Sequence, residues 1–323
     1  IGGAWLESRE LLVIGGQAKS SDLAGPTLRQ RGIQEIDGIS IVDSICTTTG
    51  LVERPWTRRE FTDAVLSGQR GRPGPVFLEF CLDAQGTPVD PDELDEQPID
   101  LIVGPGPDLV AASEAHSDQI HDLLASAKRP VWLLGARVTR PIAEKLRPRL
   151  DELGIPIMTT WNGADRIPAD APMFFGRPNT WGQRHANVLL AQADLIVAFG
   201  ARLGLQQTGF NWQEFGHSGR VIQIDTDRAE IEKGHPTIHL GIEGDPDAAL
   251  VALAGREYPD YQEWVDFCRE VTEALPSPDP ANTTGEGFVS PYQFCVDLSD
   301  ISRDDDVLIV ASSGGANSVF GNA

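Results

Sequence analysis

The sequence predicts an α/β protein built on doubly wound parallel sheets, with a complete Rossmann-like domain in the middle of the chain. Three observations carry the prediction. The runs Leu195-Ile196-Val197-Ala198-Phe199 and Val221-Ile222-Gln223-Ile224 lack regular polar alternation, as expected of strands covered on both faces. They end on Gly200 and Asp225. These residue types let a doubly wound sheet admit a nucleotide, because glycine allows it near the backbone and the acid takes a ribose hydroxyl. Helical stretches separate the apolar runs at the spacing of βαβ units. A parallel α/β domain without a ligand would show the same strands, so both readings stay open on this segment.

The elements follow in order. Ile1-Gly2-Gly3-Ala4-Trp5 reads as the middle of a helix, without initiator methionine or cap. Leu11-Leu12-Val13-Ile14 is a short buried strand that turns at Gly15-Gly16-Gln17. Ile39-Ser40-Ile41-Val42 fits a strand or a short helix. Residues 56–68 are amphipathic, with Phe61, Val65 and Leu66 on one face, and predict a helix. Gly71-Arg72-Pro73-Gly74-Pro75 breaks it before a strand over 76–80. This first unit spans 1–90. A proline- and acid-rich stretch, 91–112, reads as an extended, solvated linker.

The central domain is placed at 113–255. Ser117-Asp118 reads as an N-cap before Ile120, Leu123 and Leu124. A strand over 131–134 ends on Gly135, and a helix over 141–153 starts on Pro141 and stops at Gly154. A strand over 155–160 follows. Leu189 and Leu190 lie on a short helix stopping at Asp194, and another helix restarts near Arg228. A short strand over 237–242 and a helix over 247–253 close the domain. Residues 256–288 read as a second linker, richest in Pro, Asn, Thr and Gly over 276–287. In a third unit, 289–323, Ser290-Pro291 opens a helix, 307–310 forms a strand, and Ser312-Ser313-Gly314-Gly315 turns. The sequence stops in mid-element there, and both termini read as truncations.

Composition narrows the function classes. At 323 residues two or more domains are expected, and 41% hydrophobic content supplies real cores. With 26 basic against 48 acidic residues, the net charge of −22 argues against a nucleic-acid or anionic-membrane surface. Cys46, Cys81, Cys268 and Cys295 are far apart and form no CxxC pair. Cys46 and Cys81, in apolar company, read as buried thiols of a reducing, cytoplasmic compartment. No apolar run reaches transmembrane length. The six histidines have no metal-ligand spacing. Trp161, Trp181 and Trp212 suit either ring stacking or core packing.

Several ordered stretches carry a resemblance. Gly71-Arg72-Pro73-Gly74-Pro75-Val76-Phe77-Leu78-Glu79, reaching to Asp83-Ala84-Gln85, closes the first unit. Before it come Ile14-Gly15-Gly16-Gln17 and Gln34-Glu35. Behind it come Ala193-Asp194 with Gly200 and Arg202, then Val221-Ile222-Gln223-Ile224-Asp225 with Asp227, Glu230 and Ile231. In this order they resemble the thiamine-diphosphate enzymes of the acetolactate synthase type. Gly182-Gln183-Arg184, Ala186-Asn187 and Gln206-Gln207-Thr208-Gly209 look closer to a subgroup linked to sugar or surface-polysaccharide pathways.

The resemblance implies the end of a pyrimidine-binding domain, a whole central domain and the start of a diphosphate-binding domain, the outer two being partial thiamine-diphosphate-binding folds. It implies a carboligase or decarboxylase acting on a 2-keto acid with thiamine diphosphate and Mg2+. FAD is added in the flavin-containing members. The cofactor would lie between subunits of a homodimer or homotetramer. Gln34 is the implied catalytic amide, because the Gln-Glu loop of this family faces the active site. Gly16 and Gln17 at the first strand end, and Ser313, Gly314 and Gly315 at the third-unit turn, are implied cofactor contacts. Gly200, Arg202 and Asp225 match the flavin-holding positions, although Gly135-Ala136-Arg137 replaces a glycine-richer turn.

The chain also departs from the pattern. Thr47-Thr48-Thr49 stands where acetolactate synthases carry Lys-His. The activating glutamate is expected upstream of Ile1 and the metal motif downstream of Ala323, so the 323-residue chain alone is expected to be inactive. A non-catalytic nucleotide-binding or regulatory module with the same fold is the alternative reading.

Overall fold

The computed structural model describes residues 1–91, 106–303, 305–307 and 314–320. The chain forms two compact units, Ile1–Gly106 and Pro107–Ala323.

In the first unit, β1 (Leu11–Gln17), β2 (Thr48–Val52) and β3 (Pro75–Cys81) form a parallel sheet in the order β1-β3-β2. Strand β3 is central and almost wholly buried, as its apolar composition requires. Strand β1 departs from the buried strand expected of it. It lies at the edge of the sheet, and Leu11, Leu12 and Ile14 are 39%, 39% and 59% exposed. Strand β2 has no counterpart in the sequence reading, since Thr-Thr-Gly-Leu-Val alternates in neither register. Gly50 lets it close on the sheet, because a Cβ there would stand 3.0 Å from Trp56 and 3.1 Å from Leu78.

The ambiguous segment is the helix Gly38–Val42. Asp37 decides it as N-cap, accepting from Ser40 N at 3.0 Å and Ser40 Oγ at 2.6 Å. The helix Arg58–Ser67 falls where amphipathicity placed it and begins with a capping box between Thr57 and Glu60.

The second unit holds five parallel strands in the order β5-β4-β6-β7-β8. These are β4 (Pro130–Leu134), β5 (Ile157–Thr159), β6 (Leu195–Phe199), β7 (Arg220–Asp225) and β8 (Leu240–Glu243). The chain enters at β4, steps outward to β5, then crosses back to β6. The order therefore reverses between β4 and β6, both fully buried. Trp132 and Phe199 meet edge to face at 5.3 Å between ring centroids within this core.

Two boundaries differ from the sequence reading. Ser117 is not an N-cap, because the helix Pro107–Ser126 begins ten residues earlier and carries Ser117 inside it. Ser113 and Ser117 lie on the same buried stripe as Ile120 and Leu124, and their hydroxyls donate to Asp245 O (2.9 Å) and Glu114 O (2.7 Å). Buried serines with local partners thus mimic a capping signal.

The second difference lies in the 256–288 linker, which contains the helix Gln262–Ala274. Its Trp264, Val265 and Cys268 belong to the core. Trp264 Nε1 donates to Pro130 O at 3.0 Å, and Tyr261 OH donates to Leu124 O at 2.7 Å. Ser290 caps the helix Pro291–Ile301 as expected. Most of the strand expected over 307–310, together with Ser312 and Ser313, lies outside the described residues.

Candidate functional site

In the first unit, the carboxyl end of β1 and the loop before the helix Gly38–Val42 come together. Glu35 organises this loop rather than facing outward. Its carboxylate accepts from Ala24 N (2.5 Å), Arg31 N (2.9 Å) and Gly32 N (2.8 Å), and these bonds pull its pKa below the usual carboxylate value. Gln34 next to it is exposed, adopts φ +58, and makes no side-chain hydrogen bond with any described residue. Gln17 is fully committed. Its Nε2 donates to Ile36 O at 2.8 Å and Glu79 Oε2 at 3.4 Å, while Oε1 accepts from Ala18 N at 2.8 Å. Gln17 thereby ties the Gln34 loop to the strand end. Beside it, nothing lies within 4 Å of a Cβ built on Gly16. Exposed Ile14, Ile33 and Ile36 give this edge an apolar rim.

Glu79 went unnoticed as a site residue in the sequence reading. It is 5% exposed on β3, and a Cβ on Gly38 would stand 2.1 Å from its Oε1. A lone acid inside Val76-Phe77-Leu78-Glu79-Phe80 was the signal available. Burial pushes its pKa up from 4.5, Gln17 opposes the shift, and Asp37 adds to it. A raised folded-state pKa gives stability that is fully present below the unfolded value and is lost as pH rises through the folded value. Glu79→Gln is therefore expected to melt above the parent at pH 7 to 8, with the difference vanishing below about pH 4.5. A pH-independent difference in thermal melts would exclude a buried carboxylate as its cause.

In the second unit, the flavin-type positions fall at the ends of β6 and β7, beside the reversal point where doubly wound sheets bind ligands. Here the turn after β4 packs closely on the end of β6. Gly135 N donates to Phe199 O at 2.8 Å, and Arg137 N donates to Gly200 O at 3.3 Å. A Cβ on Gly200 would stand 2.6 Å from Arg137 Cβ and 3.1 Å from Pro246 Cγ. Arg166 holds the 135–138 turn in place, donating to Val138 O and to Ala136 O (2.9 Å). Asp225 is buried, and its Oδ1 accepts from Asp227 N at 3.0 Å. Arg202 is exposed, with its carbonyl taking Lys233 Nζ. Arg137 and Pro246 thus fill the side-chain space at Gly200.

Gly314 and Gly315 are exposed at the start of the helix Gly315–Phe320, while Ser313 lies outside the described residues. Trp161 and Trp181 face each other at 6.4 Å, and Trp212 meets the His235 ring at 5.8 Å. Cys81 is buried but Cys46 only half-buried, and all four cysteines are free. Among the described residues, no cluster of His, Cys, Asp or Glu suits a metal ion, and no helix is long and apolar enough to cross a membrane.

Comparison with known proteins finds a family match over residues 117–253, to the thiamine pyrophosphate enzyme central domain. The acetolactate synthase isozyme 1 large subunit of Escherichia coli K12 is 28% identical over 313 residues, covering 94% of this chain and 53% of that protein. A probable acetolactate synthase large subunit of Methanocaldococcus jannaschii is 27% identical over 94% of this chain and 50% of its own length. One from Methanococcus aeolicus is 31% identical over 66% of this chain and 35% of its own length. The chain spans about half the length of the first two relatives.

Proposed function

From the match of residues 117–253 to the thiamine pyrophosphate enzyme central domain and the likeness to acetolactate synthase large subunits, we propose that the chain belongs to the acetolactate synthase-like family of thiamine-diphosphate-dependent enzymes and that the protein makes or breaks the carbon–carbon bond beside the carbonyl of a 2-keto acid such as pyruvate. When bound, thiamine diphosphate supplies a carbon nucleophile and an electron sink for loss of carbon dioxide.

The observation that carries the reading is the free Gln34 amide beside an open Gly16 and an apolar rim. That edge fits a flat heterocycle, because Gly16 leaves its backbone approachable and the isoleucines offer apolar faces. Gln34 would donate its amide N–H to the carbonyl oxygen of the substrate, orienting it without titrating. Gln17 and Glu79 hold the loop that presents it, through Ile36 O. Ile14, Ile33 and Ile36 would exclude water from the reacting carbonyl.

Mg2+ and FAD remain what the resemblance implies; among the described residues no group of His, Cys, Asp or Glu suits a metal ion, and Arg137 and Pro246 fill the side-chain space at Gly200. Assembly as a homodimer or homotetramer is part of the proposal. Residues that resemble the polysaccharide-linked subgroup make loop-closing hydrogen bonds. Gln183 Oε1 accepts from Arg177 N, Asn187 Nδ2 donates to Asn179 O, and Gln206 O accepts from Thr180 N. The synthase names of the relatives do not favour a non-catalytic module.

The protein at its natural length, given thiamine diphosphate, Mg2+ and pyruvate, is expected to release carbon dioxide. Absence of release from pyruvate and from a panel of other 2-keto acids would remove this reading.

A further inference from the structure

Two buried arginines in the second unit have opposite surroundings. Arg166, 5% exposed, gives its guanidinium to Val138 O, Ala136 O and Asp165. Arg177, 8% exposed, donates no side-chain hydrogen bond to any described residue and pairs with no carboxylate among them. Its Nε is enclosed without a partner, and its guanidinium carbon lies 5.3 Å from the Phe174 ring centroid. The backbone beneath is fixed, with Arg177 N donating to Gln183 Oε1 at 2.8 Å and Gln183 N returning to Arg177 O at 3.2 Å. Burial alone lowers the pKa of this guanidinium. A buried cation without an acid is costly, and folded proteins normally satisfy it.

Three further buried atoms of the same stretch lack partners: Thr159 Oγ1, Trp161 Nε1 and Asn179 Nδ2. Thr159 ends β5, and its N donates to Gly176 O at 3.2 Å, so the strand end lies against the turn that carries Arg177 and Asn179. Trp161 faces Trp181, whose N donates to Asn179 Oδ1 at 2.8 Å. That bond fixes the amide, because Oδ1 is the acceptor and Nδ2 is left as a donor. Trp132 Nε1 and Gln223 Oε1 also lack partners, but they sit on β4 and β7.

The vacant valences of this stretch are therefore donors and one hydroxyl, and the Arg177 guanidinium is the cation among them. We propose that residues 159–183, at the carboxyl end of β5, bind an oxyanion, the phosphate or carboxylate group of a small molecule, through Arg177 with Asn179, Trp161 and Thr159 as further donors. Fork-shaped guanidinium donors match both groups. The proposal does not depend on the activity put forward above.

Thermal melting of the full chain in sodium chloride, sodium phosphate and sodium acetate, at one pH and one ionic strength, tests it. Phosphate or acetate should raise the melting temperature saturably, by ~5–10 °C at about a hundredfold excess over Kd. Response to phosphate alone identifies a phosphoryl group, and response to acetate alone a carboxylate. Arg177→Met should lose the response and melt in chloride at or above the parent, since an unpaired buried charge is gone. A purely structural arginine would instead lower it. No saturable rise with either anion, or an equal rise in Arg177→Met, overturns the proposal. Should Arg177→Met fail to fold, the parent titration and a several-fold weaker anion response in Asn179→Ala decide the matter, and an unchanged response there counts against the site.

Discussion

Gly200→Val is expected to destabilise the second unit by about 4 kcal/mol, lowering its melting temperature by ~8–16 °C. Two costs combine. The φ of +58 at Gly200 is a left-handed conformation that a β-branched residue resists, at about 1–3 kcal/mol. The added side chain must also displace Arg137 Cβ at 2.6 Å and Pro246 Cγ at 3.1 Å, and overpacking of this kind costs about 1–3 kcal/mol. Neither neighbour is free to move. Arg137 N is bonded to Gly200 O, and Pro246 opens the helix Pro246–Ala254. Urea unfolding should show a lower midpoint with an unchanged slope. A loss under about 1 kcal/mol would mean that Arg137 and Pro246 yield readily to the added side chain.

Gln34→Gly is expected to separate activity from stability. The backbone φ of +58 is strained for glutamine and easy for glycine, so the melting temperature should hold or rise slightly despite the added freedom of the unfolded chain. The amide is lost at the same time. Removing one oriented donor from a developing oxyanion typically lowers kcat about 100-fold or more, and that fall in 2-keto acid turnover is the expected result. Gln34→Asn keeps an amide and tolerates the left-handed turn, so it should recover part of the rate. If kcat for Gln34→Gly stays within about threefold of the parent, the amide does not act on the substrate. The loop would then need another explanation for leaving Gln34 without a partner.

Much of the second unit was legible because its strands are covered on both faces, and continuous apolar runs such as 195–199 admit few other readings. Exposure of β1 was not, since Leu11-Leu12-Val13-Ile14 spells the same pattern at a sheet edge as at its centre. The helix Gln262–Ala274 hid beside a proline-rich stretch, although Trp264, Val265, Cys268 and Val271 already follow a helical stripe. Of the candidate site, Gln34 could be singled out, but the three backbone bonds that make Glu35 a loop clamp could not. The same holds for Gly200. A terminal glycine reads as space for a ligand, whereas the contact filling that space comes from Arg137, far away in sequence.

The helix Gln262–Ala274 has a consequence for how this chain can be cut. The family match ends at residue 253, yet Trp264 reaches back to Pro130 on the strand at the centre of the reversal, and Tyr261 reaches back to Leu124. A fragment trimmed to the matched segment would lose the aromatic lid over β4 and present that apolar surface to water. The cooperative folding element of this half is therefore longer than the segment that sequence comparison delimits, extending from Pro107 to at least Ala274.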